Sequence, residues 1–373
     1  MTTTLIQIVP QRSIAPEGVG DYARLLAEQL WQHHGRRTIF VAGSPLQPEQ
    51  RLIDEWETHE LIKRSASALL GQLASLGGDT PILLHLSAYG YHRKGVPLWL
   101  ATALEHWRQA NPETPLVTVF HELYVTGPPW RRAFWWGKLQ ARIARRIQRI
   151  STGATTTTAP YAAMLGHWSR DRTVAVAPLP VFSTIGESDT LIPATARPRT
   201  LILFGRDGMA QALYRDRRAQ IAAIVAENDI AEIIDVGQRS APPPAMIGRT
   251  KVRPLGQLPS GPLQAALSQA LFGLIAYDAD RLAKSTLFAA YCANGVIPVC
   301  LDDAPGMNDG LRPGKNYLKL GIAETPASLP GPMLDALQRH AHAWYQPHNA
   351  QRSADLVSGL LGASVAGEQY RPC

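Results

Sequence analysis

Residues Leu271-Phe272-Gly273-Leu274-Ile275-Ala276 form a short apolar run, and so do Ile297-Pro298-Val299-Cys300-Leu301. Between them, residues 285–293 read as a helix opened by Ser285, a residue suited to accept a first-turn N–H. Short apolar runs bounded by turn residues are the pattern of buried strands. A strand, a helix and a strand in that order form a crossover unit of a parallel sheet.

The same alternation continues outward in both directions. Residues 201–204 and 233–236 read as strands, and helices are expected at about 214–227 and 262–270. In the first half, residues 5–9, 38–42, 82–86 and 116–120 read as strands. Residues 21–34 put Tyr22, Leu25, Leu26 and Leu30 on one helical face, and a second helix follows Pro97 over 98–108. The prediction is an α/β protein with two Rossmann-like, doubly wound domains facing a central cleft. A chain of 373 residues has the length for two such domains. The expected boundaries are 1–180, 181–345 and a C-terminal segment, 346–373, returning to the N-terminal domain. Pro178 and Pro180 cannot share one regular element, so 178–198 reads as a linker. Thr155–Thr158 and Pro242–Pro244 read as local loops.

Composition narrows the class. With 45% hydrophobic and 18% charged residues, the chain is globular rather than disordered or collagen-like. The net charge of +7 is uneven: residues 1–180 carry 19 Lys+Arg against 13 Asp+Glu, and the remainder 18 against 17. Cys292, Cys300 and Cys373 are too few and scattered for a disulfide framework or a zinc site. The sequence MTTTLIQIVPQRS does not read as a signal peptide, and no apolar run reaches the 18 residues that would suggest a membrane span. A cytoplasmic protein is expected, peripheral on the inner face of the membrane if its basic helix binds there.

Parallel sheets bind ligands at the carboxyl ends of their strands, so the loops there hold the candidates. Gly18 and Gly20 permit positive φ and close backbone approach, and Asp21 and Tyr22 follow them into a helix. The dinucleotide pattern G-x-G-x-x-G is incomplete, because Ala23 takes its third glycine, and this counts against a nicotinamide-dependent oxidoreductase. His121 and Glu122 end the fourth strand, where an imidazole can act as a base or bind a sugar hydroxyl. His85 lies similarly on the third, and Tyr89 in the next loop is suited to stack on a sugar or to pack. In the second half, Gly205 and Arg206 follow a strand, and Lys284, Ser285 and Thr286 open a helix. Both cations read either as diphosphate ligands or as solvated surface charge. Asp278-x-Asp280 is a weak metal motif, and no metal ligand is predicted.

A further segment combines Trp130, Trp135 and Trp136 with Arg142, Arg145, Arg146 and Arg149. The arginines form one helical stripe, and Leu139, Ile143, Ile147 and Ile150 the opposing apolar one. Such a helix either lies on an anionic membrane or packs on the sheet with its arginines in water. No nucleic-acid-binding pattern accompanies it.

Together these motifs resemble the GT-B fold glycosyltransferases, specifically the retaining bacterial group similar to glycosyltransferase family 4. The resemblance covers nearly the whole chain. It rests on Gly18-Val19-Gly20-Asp21-Tyr22, His121-Glu122-Leu123-Tyr124, Phe204-Gly205-Arg206 and Lys284 through Tyr291, ending in Asn294-Gly295-Val296-Ile297-Pro298-Val299. It implies an acceptor-binding N-terminal domain and a donor-binding C-terminal one, with a nucleotide-diphosphate sugar as donor substrate and no cofactor. Gly18 and Gly20 would approach the reacting sugar, and His121 would sit beside it. Gly205, Arg206, Lys284, Ser285 and Thr286 would bind the diphosphate. Asp21, Tyr22, Tyr89 and Glu122 would line the acceptor side. Two departures stand out. The group's paired glutamates, eight positions apart, are here Leu282 and Ala290, and the lysine after the Gly-Arg turn is missing, with Arg215 and Arg217 as distant substitutes. The expected activity is transfer of a sugar to a glycan acceptor, lipid-linked as in surface polysaccharide assembly. The alternative is a non-catalytic glycan-binding or partner protein of the same fold.

Overall fold

All five residues of Ile82–Leu86 and of Leu116–Phe120 are buried, as are all four of Phe272–Ile275 and of Ile297–Cys300. Strands covered on both faces carry nearly continuous apolar runs, here broken only by His85 and Thr118, which is why these segments were legible. The computed structural model describes residues 3–11, 18–44, 56–125, 132–169, 175–321 and 328–362. Two compact units emerge, Met1–Pro180 with Ala350–Cys373, and Val181–Asn349.

Unit 1 begins with β1 (Thr3–Val9), α1 (Gly18–His34), β2 (Arg36–Ala42), β3 (Thr58–Glu60) and α2 (Ala66–Ser75). It continues through β4 (Ile82–Leu86), the single turn α3 (Ala88–Tyr91), α4 (Leu98–Ala110) and β5 (Leu116–Phe120). Then come α5 (Arg132–Ile150), β6 (Gly153–Thr156), α6 (Ala159–Trp168) and β7 (Ala175–Pro178). The strands pair in the order β3-β2-β1-β4-β5-β6-β7, all parallel, so the order reverses between β1 and β4.

Unit 2 contains β8 (Thr200–Phe204), α7 (Asp207–Asp216), α8 (Arg218–Glu227), β9 (Glu232–Val236), β10 (Met246–Ile247) and β11 (Thr250–Gly256). Next are α9 (Ser260–Gln269), β12 (Phe272–Ile275), α10 (Thr286–Ala293), β13 (Ile297–Cys300), β14 (Leu318–Lys319) and α11 (Gly331–Tyr345). Its order is β10-β11-β9-β8-β12-β13-β14, with only the β10–β11 pair antiparallel among the described strands. The reversal here lies between β8 and β12. The last helix, α12 (Ala350–Gly362), belongs to unit 1, where it packs on α1. His34 Nε2 lies 2.9 Å from Asp355 Oδ1, and Arg36 Nε donates to Ser358 Oγ at 3.0 Å.

Four local readings change. Thr155 and Thr156 belong to β6, since consecutive β-branched residues fit a pleated strand, and Thr158 caps α6 by accepting from Tyr161 N. The helix expected over 214–227 breaks at Arg217, whose φ of −123° is not helical. The 178–198 segment is not a solvated linker. Pro178 ends the edge strand β7, where a missing N–H costs no ladder bond. Beyond it, Val181 N donates to Ala283 O at 3.0 Å, and Phe182 is fully buried. The Gly18 and Gly20 loop, finally, is the first turn of α1 itself; neither glycine has a positive φ.

Arg197 anchors the packed segment. Its guanidinium is buried and, among the described residues, donates to carbonyls alone: Ile192 O at 3.0 Å, Ala270 O at 2.8 Å and Asn294 O at 2.8 Å, with Leu267 O at 3.4 Å. Ala270 and Asn294 are the C-caps of α9 and α10, where the helix dipole concentrates negative charge. Burial lowers this guanidinium's pKa to about 10. Replacing it leaves buried carbonyls unpaired, and each such group costs on the order of 1–3 kcal/mol. Arg197→Met is therefore expected to destabilise unit 2 by about 3 kcal/mol in urea unfolding. A loss below about 1 kcal/mol would mean that the carbonyls find other partners.

Candidate functional site

At the strand-order reversal of unit 1, two polar side chains that interrupt apolar strands and one just past a strand end are hydrogen-bonded in a chain. Gln7 lies within β1, His85 within β4, and His121 one residue beyond β5, its N–H on Leu86 O at 3.0 Å. Gln7 and His85 are fully buried and His121 nearly so. Gln7 Nε2 donates to Thr38 Oγ1 at 3.1 Å, and its Oε1 lies 2.8 Å from His85 Nε2. His85 Nδ1 lies 3.2 Å from His121 Nε2. The two imidazoles stack at an interplanar angle of 22°. Burial, and then His121 itself, push the His85 pKa well below the usual imidazole range.

Tyr22 is part of this cluster. Its buried ring stands edge-on to His121 at 5.2 Å and to His85 at 6.0 Å, and burial raises its phenol pKa. Asp21 beside it is half-buried in the first turn of α1, and Gly18 and Gly20 precede it there. Glu122 is exposed next to His121. Tyr89 is exposed, with its hydroxyl accepting from Gln140 Nε2 of α5 at 3.0 Å. The predicted acceptor-side residues thus share the carboxyl edge of one sheet.

In unit 2 the predicted donor residues converge at the β8/β12 reversal. Gly205 has a φ of +138°, a conformation that disfavours any side chain. A Cβ there would lie 2.7 Å from Met209 Cε and 3.9 Å from Leu287 Cδ2, which brings this turn against the start of α10. Arg206 is exposed, Lys284 half-buried and Ser285 buried. Ser285 caps α10 by accepting from Phe288 N at 3.2 Å, leaving the Thr286 and Leu287 amides without an intrahelical acceptor. Two oriented amides and two cations at one sheet end can hold an anion.

The departures have structural counterparts. Leu282 and Ala290 are both buried, so neither position presents a polar group to solvent. Arg215 pairs with Asp216 at 2.7 Å, and Arg217 lies 3.6 Å from Asp303. Asp278 and Asp280 hold backbone amides: Asp278 accepts from Asp280 N at 3.1 Å within its own loop, and Asp280 from Gly306 N, in the loop after β13, at 2.7 Å.

Sequence reasoning missed Gln7 and also a buried triad behind the Gly205 turn. Arg239 Nε donates to Asp235 Oδ1 at 2.9 Å, its Nη1 to Gly205 O at 2.8 Å and its Nη2 to Val236 O at 2.9 Å. Tyr214 donates its hydroxyl to the other Asp235 oxygen. The signal was a lone polar residue inside an apolar run, Gln7 in 5–9 and Asp235 in 233–236, because such residues persist in a core only when paired.

The basic helix α5 divides differently from the expected stripe. Arg142, Arg145 and Arg149 are exposed, but Arg146 is held by Glu105 of α4, with Nε to Oε1 at 2.8 Å and Nη2 to Oε2 at 2.6 Å. Ile143 and Ile147 are buried, whereas Leu139 faces solvent beside Trp135, which is 61% exposed. Lys94 Nζ lies 4.4 Å from the Trp136 ring centre, and the Arg145 guanidinium 4.8 Å from that of Trp168. Gly137 lets the loop after His121 approach, since a Cβ there would lie 2.2 Å from Val125 O. Trp130 falls outside the described residues. Among the described residues, no helix is long and apolar enough to cross a membrane.

The sequence matches no protein-family model and no curated protein. Solved structures do match, over nearly their whole length. One is an α,α-trehalose-phosphate synthase (UDP-forming) from Burkholderia xenovorans in complex with glucose-6-phosphate, at 11% identity over 97% of this chain and 100% of that one, with a TM-score of 0.61. An α-glucosyltransferase in complex with UDP matches at 8% identity over 96% and 99%, TM-score 0.57. A putative UDP-N-acetylglucosamine 2-epimerase from Listeria monocytogenes matches at 12% over 96% and 95%, TM-score 0.60. What these proteins share with the chain is the GT-B fold: two Rossmann-like domains built on parallel sheets.

Removing Arg239 strands the Asp235 carboxylate, and breaking a buried pair costs about 3–5 kcal/mol. Arg239→Met is expected to destabilise unit 2 by that amount in urea unfolding. Adding Asp235→Asn, which removes the buried charge, should recover part of the loss; a double variant no better than the single one would show that charge burial is not its source.

Proposed function

We propose that the chain is a glycosyltransferase that moves a sugar from a nucleotide-diphosphate donor to a glycan acceptor. The observation that carries this reading is the meeting of the Gly205-Arg206 turn with the Lys284-Ser285 start of α10 at the carboxyl ends of neighbouring strands. Unit 2 takes the donor. Arg206, Lys284 and the Thr286 and Leu287 amides hold the diphosphate, whose negative charge grows as the bond to the sugar breaks. Fixed donors aimed at that charge lower the barrier without a metal ion. Unit 1 takes the acceptor, with His121 beside the transferred sugar. The similarity to proteins crystallised with UDP or glucose-6-phosphate supports a nucleotide donor and a hydroxylated acceptor. Retention of anomeric configuration rests on the resemblance to the family 4-like group.

The acceptor is a lipid-linked glycan of surface polysaccharide assembly, with the protein peripheral on the inner face of the membrane. Exposed Trp135, Leu139, Arg142, Arg145 and Arg149 support this, since they combine apolar and cationic groups on one helix.

Thermal-shift titration with nucleoside diphosphates is the direct test. One of UDP, GDP or ADP is expected to raise the melting temperature in the presence of EDTA, by mass action on the native state. Arg206→Ala and Lys284→Ala should each weaken that ligand about tenfold, and His121→Ala should cut turnover about 100-fold with little change in donor affinity. Binding without turnover on any acceptor would favour the non-catalytic alternative.

Wild-type protein should pellet with anionic liposomes at low salt, and Arg142→Gln, Arg145→Gln and Arg149→Gln together should abolish it. Wild-type protein that stays in the supernatant removes the membrane role.

A further inference from the structure

The chain Thr38–Gln7–His85–His121 has a direction, and that direction determines which nitrogen of His121 is basic. A carbonyl oxygen can only accept, so Gln7 Oε1, 2.8 Å from His85 Nε2, requires the proton there. A neutral imidazole carries one N–H, which leaves His85 Nδ1 with a lone pair. His121 Nε2, 3.2 Å away, must then be the donor. Neutral His121 is consequently the Nε2–H tautomer, with its lone pair on Nδ1.

We infer that Gln7 and His85 are positioning residues that act through His121, holding its ring in one tautomer and one orientation at the carboxyl edge of unit 1. Gln7 is itself oriented by Thr38, towards which it turns its amide nitrogen. Tyr22 fixes the ring from the side, edge-on to both imidazoles. None of the three residues behind His121 needs to touch a ligand. A substrate group meeting Nδ1 must donate a hydrogen bond, as a sugar hydroxyl does. That last step rests on the proposed transferase reading, whereas the tautomer does not.

The test is long-range 15N–1H NMR of histidine-labelled full-length protein at a pH where both rings are neutral, assigned with His85→Gln and His121→Gln. The expected spectrum has both rings as Nε2–H tautomers. An Nδ1–H signal for His121 in wild-type protein overturns the inference. Gln7→Met keeps the volume but removes the acceptor; His121 should then lose its single tautomer, and Gln7→Glu, which restores an acceptor, should recover it. A His121 signal unchanged in Gln7→Met also overturns the inference, and if that variant fails to fold, the wild-type spectrum alone decides. Where sugar transfer is measurable, Gln7→Met should lower kcat about tenfold or more while leaving donor affinity within about twofold. Absence of any transfer would count against the proposed function and leave the spectroscopic result standing.

Discussion

A parallel sheet covered on both faces denies its side chains water everywhere except at its ends. A polar group inside it is therefore costly unless another satisfies it, and a group meant to meet a ligand belongs where the strands stop. One cluster of unit 1 answers both halves of this constraint. Gln7 and His85 are wholly internal and mutually satisfied, and the chain they form surfaces at His121 on the carboxyl edge. In unit 2 a triad answers it: Asp235, Tyr214 and Arg239 satisfy one another, and the remaining Arg239 N–H groups hold the backbone of the Gly205 turn and Val236.

Arginine does this internal work twice in unit 2, by different means. Arg239 has a carboxylate partner and acts as an ion pair. Arg197 has none among the described residues and is stabilised by the carbonyls that end two helices, so its charge is matched by partial charges spread over several peptide groups. A planar guanidinium with five N–H donors suits both tasks, where a lysine would serve neither. One of the two helices held by Arg197 is α10, whose opposite end carries Ser285 and Lys284.

Much of this architecture was legible in the sequence because buried strands announce themselves. The runs ending at Leu86 and Phe120 match the folded strands residue for residue. The Gly205 turn and the Ser285 cap were legible for the same local reason: a positive φ and an N-cap each demand particular residue types. The strands at 153–156 and 175–178 were missed because threonine and proline read as loop formers until a sheet edge gives them a place. Arg146 was misplaced on the exposed stripe because helical periodicity shows which side a residue is on, not that Glu105 waits on a neighbouring helix. Gln7 and Asp235 were passed over as single polar residues in otherwise apolar segments. Their partners lie 78 and 21 residues away, at His85 and Tyr214, beyond the reach of any local pattern.

The return of α12 to unit 1 sets an order of events during synthesis. Unit 2 is one uninterrupted stretch of chain, whereas unit 1 is closed only when Ala350–Gly362 arrives. His34 and Asp355, which meet across α1 and α12, are 321 positions apart. At roughly 5–20 residues per second, a ribosome needs about a quarter of a minute to a minute to make that interval. Through it the first-made unit waits for its last-made helix, and the inserted unit finishes first. The nascent chain thus matures from its middle outward, and the surface of α1 that awaits α12 is the part most in need of a chaperone.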